Sequence, residues 1–113
     1  MSKSITQTAE FVSPRHPDKI CDIVADTLLD EYCAIDPQSR IALEIMGGHD
    51  LLSLNGEVTS AGQVEVEKIA KKIVGEKFRV ISNIVKQSPE IARGVDTGGA
   101  GDQGIMVGYA CRE

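Results

Sequence analysis

Two short segments in which apolar and polar residues alternate, separated by a glycine-containing turn, constrain the fold of this chain most. In residues 40–46 every second side chain is apolar and falls on one face of an extended strand, whereas Glu44 falls on the other face. Residues 47–50, Gly-Gly-His-Asp, are of types that favour a tight turn, and residues 51–58 continue as a second strand. The sequence therefore predicts a hairpin with one buried face.

Two other segments have the three-and-four spacing of amphipathic helices. The first is predicted to begin at Pro17, which suits the first helical position, and to run to residue 34, before the Asp-Pro pair at 36–37. The second is predicted to begin at a capping box in residues 60–63 and to end before Gly75. Both helices have an apolar face that needs a sheet or another helix to cover it.

Two more strands are predicted, at residues 78–85 and 105–111. The predicted fold is α+β: a small two-layer domain with two main helices on a mixed or antiparallel sheet of about four strands. Residues 1–10 are predicted to form a polar arm and residues 11–113 a single domain. Residues 86–104 show no clear periodicity, and a loop of that length in a small domain is either functional or mobile.

The composition excludes several classes of protein. With 17 acidic and 12 basic residues, the chain lacks the basic surface of a nucleic-acid binder. No segment approaches the roughly 20 apolar residues of a membrane span, and three widely spaced cysteines favour a reducing, cytoplasmic setting over a disulfide framework. Only 4% of the residues are aromatic, so the aliphatic core is expected to benefit from burial against a partner.

Residues 16–19, His-Pro-Asp-Lys, bring an imidazole, a carboxylate and an ammonium group to the start of the first helix. Backbone N–H groups there favour an anion, and His16 and Lys19 can contact phosphate oxygens. Asp18 can hold a hard cation such as Mg²⁺ through oxygen. These residues indicate a site for nucleotide phosphate and metal, although the spacing also fits a plain helix start that Asp18 caps.

Four other positions carry polar groups suited to small ligands. Glu44 and Glu57 lie on adjacent predicted strands, where two carboxylates can bind a monovalent cation or an ammonium group, or can simply face water. Gln87 offers an amide donor and acceptor at the start of the long loop. Asp102 lies in a glycine-rich turn at 99–104 and can accept hydrogen bonds from ribose hydroxyls. A surface loop and a tight turn are the alternatives for the last two.

Four motifs occur here in the order in which they occur in methionine adenosyltransferase (S-adenosylmethionine synthetase). They are His-Pro-Asp-Lys at 16–19, Asn-Gly-Glu at 55–57, Lys-Gln-Ser-Pro at 86–89 and Gly-Ala-Gly-Asp-Gln-Gly at 99–104. The chain resembles the N-terminal domain of that family over residues 11–113. The resemblance implies one of three similarly built α+β domains, dimers with active sites between subunits, and the conversion of ATP and L-methionine to S-adenosylmethionine, phosphate and diphosphate.

For the nucleotide and the metal ions, the resemblance implies roles for five residues. His16 would be catalytic, contacting ATP and stabilising the charge on the leaving triphosphate. Lys19 would contact the phosphates and Asp102 the adenosyl part of ATP. Asp18 would bind the Mg²⁺ that neutralises the phosphates, and Glu44 would bind K⁺.

For methionine, the resemblance implies Glu57 and Gln87 as binding residues. It also implies a mobile active-site loop, which comprises Gln87, Ser88, Pro89, Glu90, Ile91, Ala92, Arg93, Gly94, Val95, Asp96 and Thr97. The chain departs from the family pattern directly before His16, where the usual Glu-Gly is Pro14-Arg15. This departure adds bulk and positive charge beside the imidazole.

The predicted function is that of the N-terminal domain of a methionine adenosyltransferase. The domain alone is expected to be inactive, because the family's triphosphate-binding lysines and arginines lie in later domains. The alternative is a non-catalytic homologue that binds ATP or methionine or regulates a full-length synthetase. The expected partners are ATP, L-methionine, and either further copies of this chain, as a dimer or tetramer, or a full-length or complementary synthetase chain. Neither nucleic acid nor a membrane is expected.

Overall fold

A computed structural model describes residues 4–88, 97–110 and 112. In these residues the elements follow one another as α1 (Pro17–Ile35), β1 (Arg40–Gly48), β2 (Leu51–Thr59), α2 (Val66–Val74) and β3 (Arg79–Val85). The first helix packs against β1 and α2, and the second also packs against β3. The predicted α+β fold with two main helices is confirmed. Neither helix in these described residues has the length and hydrophobicity of a membrane-spanning segment.

The sheet has the order β1-β2-β3, with β1 and β2 antiparallel and β2 and β3 parallel. A two-residue turn at His49 and Asp50 joins the first two strands. The φ angles of these residues, 50° and 61°, are those of a type I′ turn, whose twist matches that of a hairpin. The predicted hairpin is therefore confirmed, and α2 supplies the crossover that the parallel pair requires.

The core lies between the sheet and the helices. Its fully buried side chains are Val24 and Leu28 of α1, Leu52 and Leu54 of β2, and Ala70 of α2. Each large aliphatic side chain buried in this way contributes about 1.5–3 kcal/mol. The opposite face of the sheet is open. Met46 on this face is 75% exposed, and polar residues of β1, β2 and β3 are displayed beside it.

Side-chain hydrogen bonds hold both ends of α1. At the start, His16 Nδ1 accepts a hydrogen bond from the backbone N–H of Asp18 at 3.2 Å, so the imidazole caps the helix. After the end, the Asp36 carboxylate accepts hydrogen bonds from the N–H groups of Ala61 at 2.8 Å and Gln38 at 2.9 Å. The bond from Ala61, followed by that from Gln38, lowers the pKa of the Asp36 carboxyl below its ordinary value.

Replacing Asp36 by alanine is expected to lower stability at neutral pH and to matter less in acid. A carboxyl whose pKa is depressed in the folded state stabilises the fold above its unfolded pKa, about 4, and this effect is lost as the pH falls through the folded pKa. The difference in urea midpoint between wild type and D36A should therefore be largest above about pH 5. D30A, at an exposed position of α1, is the control; a D36A difference independent of pH would contradict this role.

The predicted start of α2 is wrong. The helix begins at Val66 rather than at the capping box of residues 60–63, and its N-cap Glu65 makes no capping bond through its side chain. Ser60 Oγ instead accepts hydrogen bonds from the N–H of Gly62 at 3.0 Å and from Ser39 Oγ at 2.7 Å. Hydrogen bonds of a serine to nearby backbone compete with helix formation, so residues 60–63 form a turn that anchors the segment after β2.

The fourth strand predicted at residues 105–111 does not form in the described part of the chain. Residues 105–110 pair with no strand there, and Ile105 and Met106 are 94% and 95% exposed. A strand depends on hydrogen bonds to a neighbour, which an apolar sequence cannot supply by itself. Cys111 and loop residues 89–96 lie outside the described residues.

Candidate functional site

A cavity of about 470 Å³ lies where β1 begins and β2 and β3 end. It is lined by residues from four segments of the chain: Arg40, Ile41, Ala42, Glu57, Gln87, Gly101 and Asp102. The strand register explains why they meet. Ala42 pairs with Glu57, and Glu57 pairs with Val85, so residues distant in sequence converge at one edge of the sheet.

Three residues assigned to substrates by sequence reasoning thus line one cavity: Glu57, Gln87 and Asp102. Arg40 is a wall residue that no motif singled out. The structural feature that identifies Arg40 is its place at the first position of β1, opposite Thr59 at the end of β2. The cavity combines two carboxylates, a guanidinium and a carboxamide, which together suit a small molecule with an ammonium and a carboxylate end.

The side-chain oxygen of Gln87 has an unusual environment. Oε1 is buried and has no hydrogen-bond partner among the described residues. A buried acceptor without a donor costs about 1–3 kcal/mol. A ligand with N–H donors removes this cost on binding, and an ammonium group offers three of them.

Glu44 lies outside this cavity, on the exposed face of β1. Its cross-strand neighbour is Asn55, which accepts a hydrogen bond from Asn83 Nδ2 and donates one to Ser53 Oγ, both at 3.1 Å. A carboxylate beside amide and hydroxyl oxygens suits a hard cation as one of its ligands. No group of three or more His, Cys, Asp or Glu side chains in the described residues could hold a metal ion by itself.

His16, Asp18 and Lys19 form a second group at the start of α1. Because His16 Nδ1 accepts the capping hydrogen bond, the proton of the neutral imidazole lies on Nε2, which can donate to a phosphate. Lys19 Nζ pairs with Asp22 Oδ2 at 3.3 Å. The Asp18 carboxylate is 82% exposed and lies 3.8 Å from His16 Nδ1. One exposed carboxylate fits Mg²⁺, which usually takes its other ligands from phosphates and water.

The two groups lie at opposite ends of the domain because α1 runs antiparallel to β1. Near the helix start, a Cβ added at Gly47 would be 3.4 Å from Cys21 Sγ; after the helix end, Asp36 binds Ala61 beyond β2. The nine residues of β1 span about 26 Å. His16, Asp18 and Lys19 therefore do not meet the cavity residues within one copy of the chain.

Comparisons with known proteins point to one family. The N-terminal domain of S-adenosylmethionine synthetase matches residues 4–89. The S-adenosylmethionine synthases of Salinibacter ruber and Fusobacterium nucleatum are 43% and 44% identical to the chain, over 94% and 100% of its length and 32% of theirs. The chain thus spans about a third of the length of these relatives.

A solved structure shows the same fold. An unusual S-adenosylmethionine synthetase from Campylobacter jejuni matches with a TM-score of 0.63 at 25% sequence identity. The match covers 69% of this chain and 26% of that one. Over the matched part, the chain therefore shares its fold with a portion of a larger protein.

Proposed function

Because the chain belongs to the S-adenosylmethionine synthetase family, in which it corresponds to the N-terminal domain, we propose that it takes part in S-adenosylmethionine formation from ATP and L-methionine, with release of phosphate and diphosphate. The observation that carries the proposal is the cavity that unites Glu57, Gln87 and Asp102. A non-catalytic binding or regulatory role is not favoured, since the relatives at 43% and 44% identity are synthases by name.

Methionine occupies this cavity in our proposal. Glu57 accepts charge-assisted hydrogen bonds from the ammonium group, and Gln87 Oε1 gains the donor that it lacks among the described residues. Asp102 accepts hydrogen bonds from the ribose hydroxyls of ATP. Holding methionine by its charged end leaves the thioether as the group that reacts, and fixing its orientation lowers the entropic barrier.

The triphosphate binds at the start of α1. His16 Nε2–H donates to it, and this donor, together with the first N–H groups of the helix, stabilises the charge that develops as the triphosphate leaves. Lys19 leaves its exposed ion pair with Asp22, which stabilises the fold by only about 0–1 kcal/mol, and binds a phosphate oxygen instead. Asp18 provides one carboxylate ligand for Mg²⁺, which when bound neutralises phosphate charge, and Glu44 provides one for K⁺.

Two copies complete each site. The His16 group and the cavity lie about 26 Å apart along the sheet, so one copy contributes the start of α1 and its partner contributes Glu57, Gln87 and Asp102. The open face of the sheet, where Met46 is 75% and Val85 54% exposed, supplies apolar surface for this association.

Isothermal titration of the 113-residue chain with ATP–Mg²⁺ and, separately, with L-methionine tests the proposal. H16N is expected to weaken ATP–Mg²⁺ binding about tenfold, because a hydrogen bond to a charged phosphate is lost. The same variant is expected to leave methionine binding unchanged, because Glu57 and Gln87, and not His16, hold the charged end of methionine in the proposed complex.

The matched control is H49N, which changes the other histidine, in the β1–β2 turn where asparagine tolerates a positive φ. This variant is expected to bind both ligands as wild type does. Failure of the wild-type chain to bind either ligand at millimolar concentration would overturn the proposed function. Equal losses of ATP–Mg²⁺ and methionine affinity in H16N would overturn the separation of the two groups.

A further inference from the structure

A second cavity, of about 180 Å³, lies between the start of α1 and the β1–β2 turn. Leu52, which is fully buried, forms its floor, and the partly buried Ile20, Cys21 and Phe78 form walls. The exposed Arg15 lines it on the solvent side. The proposed function gives no role to any of these residues.

The backbone of β1 sets the shape of this cavity. A Cβ at Gly47 would lie 2.8 Å from Leu52 Cδ1 and 3.4 Å from Cys21 Sγ, so glycine permits the close approach of strand and helix. The neighbouring turn is held by Asp50, whose carbonyl accepts a hydrogen bond from the Arg79 N–H at 2.8 Å. Hydrogen-bonded elements therefore border the cavity on this side.

The size and walls of the cavity suit an apolar group. A cavity of about 150 Å³ lined by Leu, Ile and Phe stays dry and binds benzene. The second cavity has a similar volume, about 180 Å³, and its inner part has walls of this kind, Ile20, Leu52 and Phe78, whereas Arg15 and His49 add polar groups to its lining. A phenyl ring or a branched aliphatic chain therefore fits against Leu52 and Phe78.

The charges near the opening favour an anionic end on that group. Arg15 brings a guanidinium to the opening of the cavity. Nearby carboxylates are largely compensated: Asp22 pairs with Lys19 at 3.3 Å and Asp50 with Lys77 at 3.2 Å. Asp18 opposes the anion, but its side chain is 82% exposed and is screened by water and salt.

We propose that this second cavity is a binding site for a small carboxylate with an aromatic or branched aliphatic body. The body lies against Leu52 and Phe78, and the carboxylate pairs with Arg15. This site gives a function to Arg15, and none of the side chains that line it is assigned to ATP or methionine in the proposed function.

Cys21 reports occupancy directly, because its thiol forms part of the wall. The rate of Cys21 alkylation by iodoacetamide in the full chain is followed by peptide mass spectrometry, with phenylacetate as the probe and 2-phenylethanol as the neutral analogue. Millimolar phenylacetate is expected to slow alkylation of Cys21 and not of Cys33, also on α1. R15Q is expected to need about fivefold more phenylacetate, whereas K72Q, which removes a charge from α2, needs no more.

Three results would overturn the proposal. Equal protection by 2-phenylethanol would reduce the site to an apolar cavity with no preference for an anion. Absence of protection by either compound would remove the site. Protection of Cys21 that rises with protein concentration without ligand would assign the cavity to a second copy of the chain. None of these readouts depends on ATP or methionine, so failure here is distinguishable from failure of the proposed function.

Discussion

Replacing Gly56 by alanine is expected to destabilise the protein by about 2–4 kcal/mol and to lower its Tm by roughly 10–20 °C. Gly56 lies within β2, opposite Leu43, with a φ of 144° that residues with a Cβ rarely adopt. An added Cβ would also collide with the carbonyl oxygen of Ala42 in β1. The two strands would have to separate, which is measurable by differential scanning calorimetry.

Gly48 provides the matched control in the same strand pair. Its φ is not in the positive range, and an added Cβ meets no atom within 4 Å. G48A is therefore expected to change stability by no more than about 0.5 kcal/mol. Similar losses in G56A and G48A would mean that the close contact between Gly56 and Ala42 does not limit this sheet.

Replacing Glu57 by glutamine is expected to weaken L-methionine binding about 30-fold. Glutamine keeps the shape of the side chain but removes the negative charge that, in the proposed complex, accepts hydrogen bonds from the ammonium group. Glu57 is partly buried at the edge of the cavity and does not belong to the hydrophobic core. The fold should therefore remain intact, and isothermal titration measures the loss directly.

N-acetyl-L-methionine, which lacks the ammonium charge, separates this contact from a general loss of binding. It is expected to bind wild type and E57Q equally weakly, because neither complex contains the charged pair. E67Q, at an exposed position of α2, is the charge-matched control and should bind methionine as wild type does. Unchanged methionine affinity in E57Q would place the ammonium group elsewhere.

Elements with strong local signals were predictable to within a few residues. The hairpin follows from alternation around a short turn, and α1 follows from Pro17 and the apolar stripe, ending at Ile35 where residue 34 was predicted. The start of α2 was not predictable from the capping pattern, because Ser60 bonds instead to Gly62 and to Ser39, 21 residues earlier in the chain. A pattern of neighbouring residue types does not reveal such contacts, which compete with helix formation.

The residues of the candidate site also fall into two groups, those that the sequence identifies and those that only the structure identifies. The chemistry of His16, Glu57, Gln87 and Asp102 follows from residue type and motif, so these positions could be selected without coordinates. Arg40 could not be selected, because no motif contains it; it lies opposite Thr59 in the paired strands and lines the same cavity as Glu57.

The sequence by itself determined the kinds of element and the reactive groups available, because periodicity and side-chain chemistry depend only on neighbours along the chain. The tertiary structure decided which groups meet. The pairing of Glu57 with Ala42 and Val85 brings Glu57 into one cavity with Gln87 and Asp102, the residues proposed to bind substrates, and the direction of α1 puts His16 at the other end of the sheet. Distances in space are set by strand pairing and helix packing, which involve residues far apart in sequence.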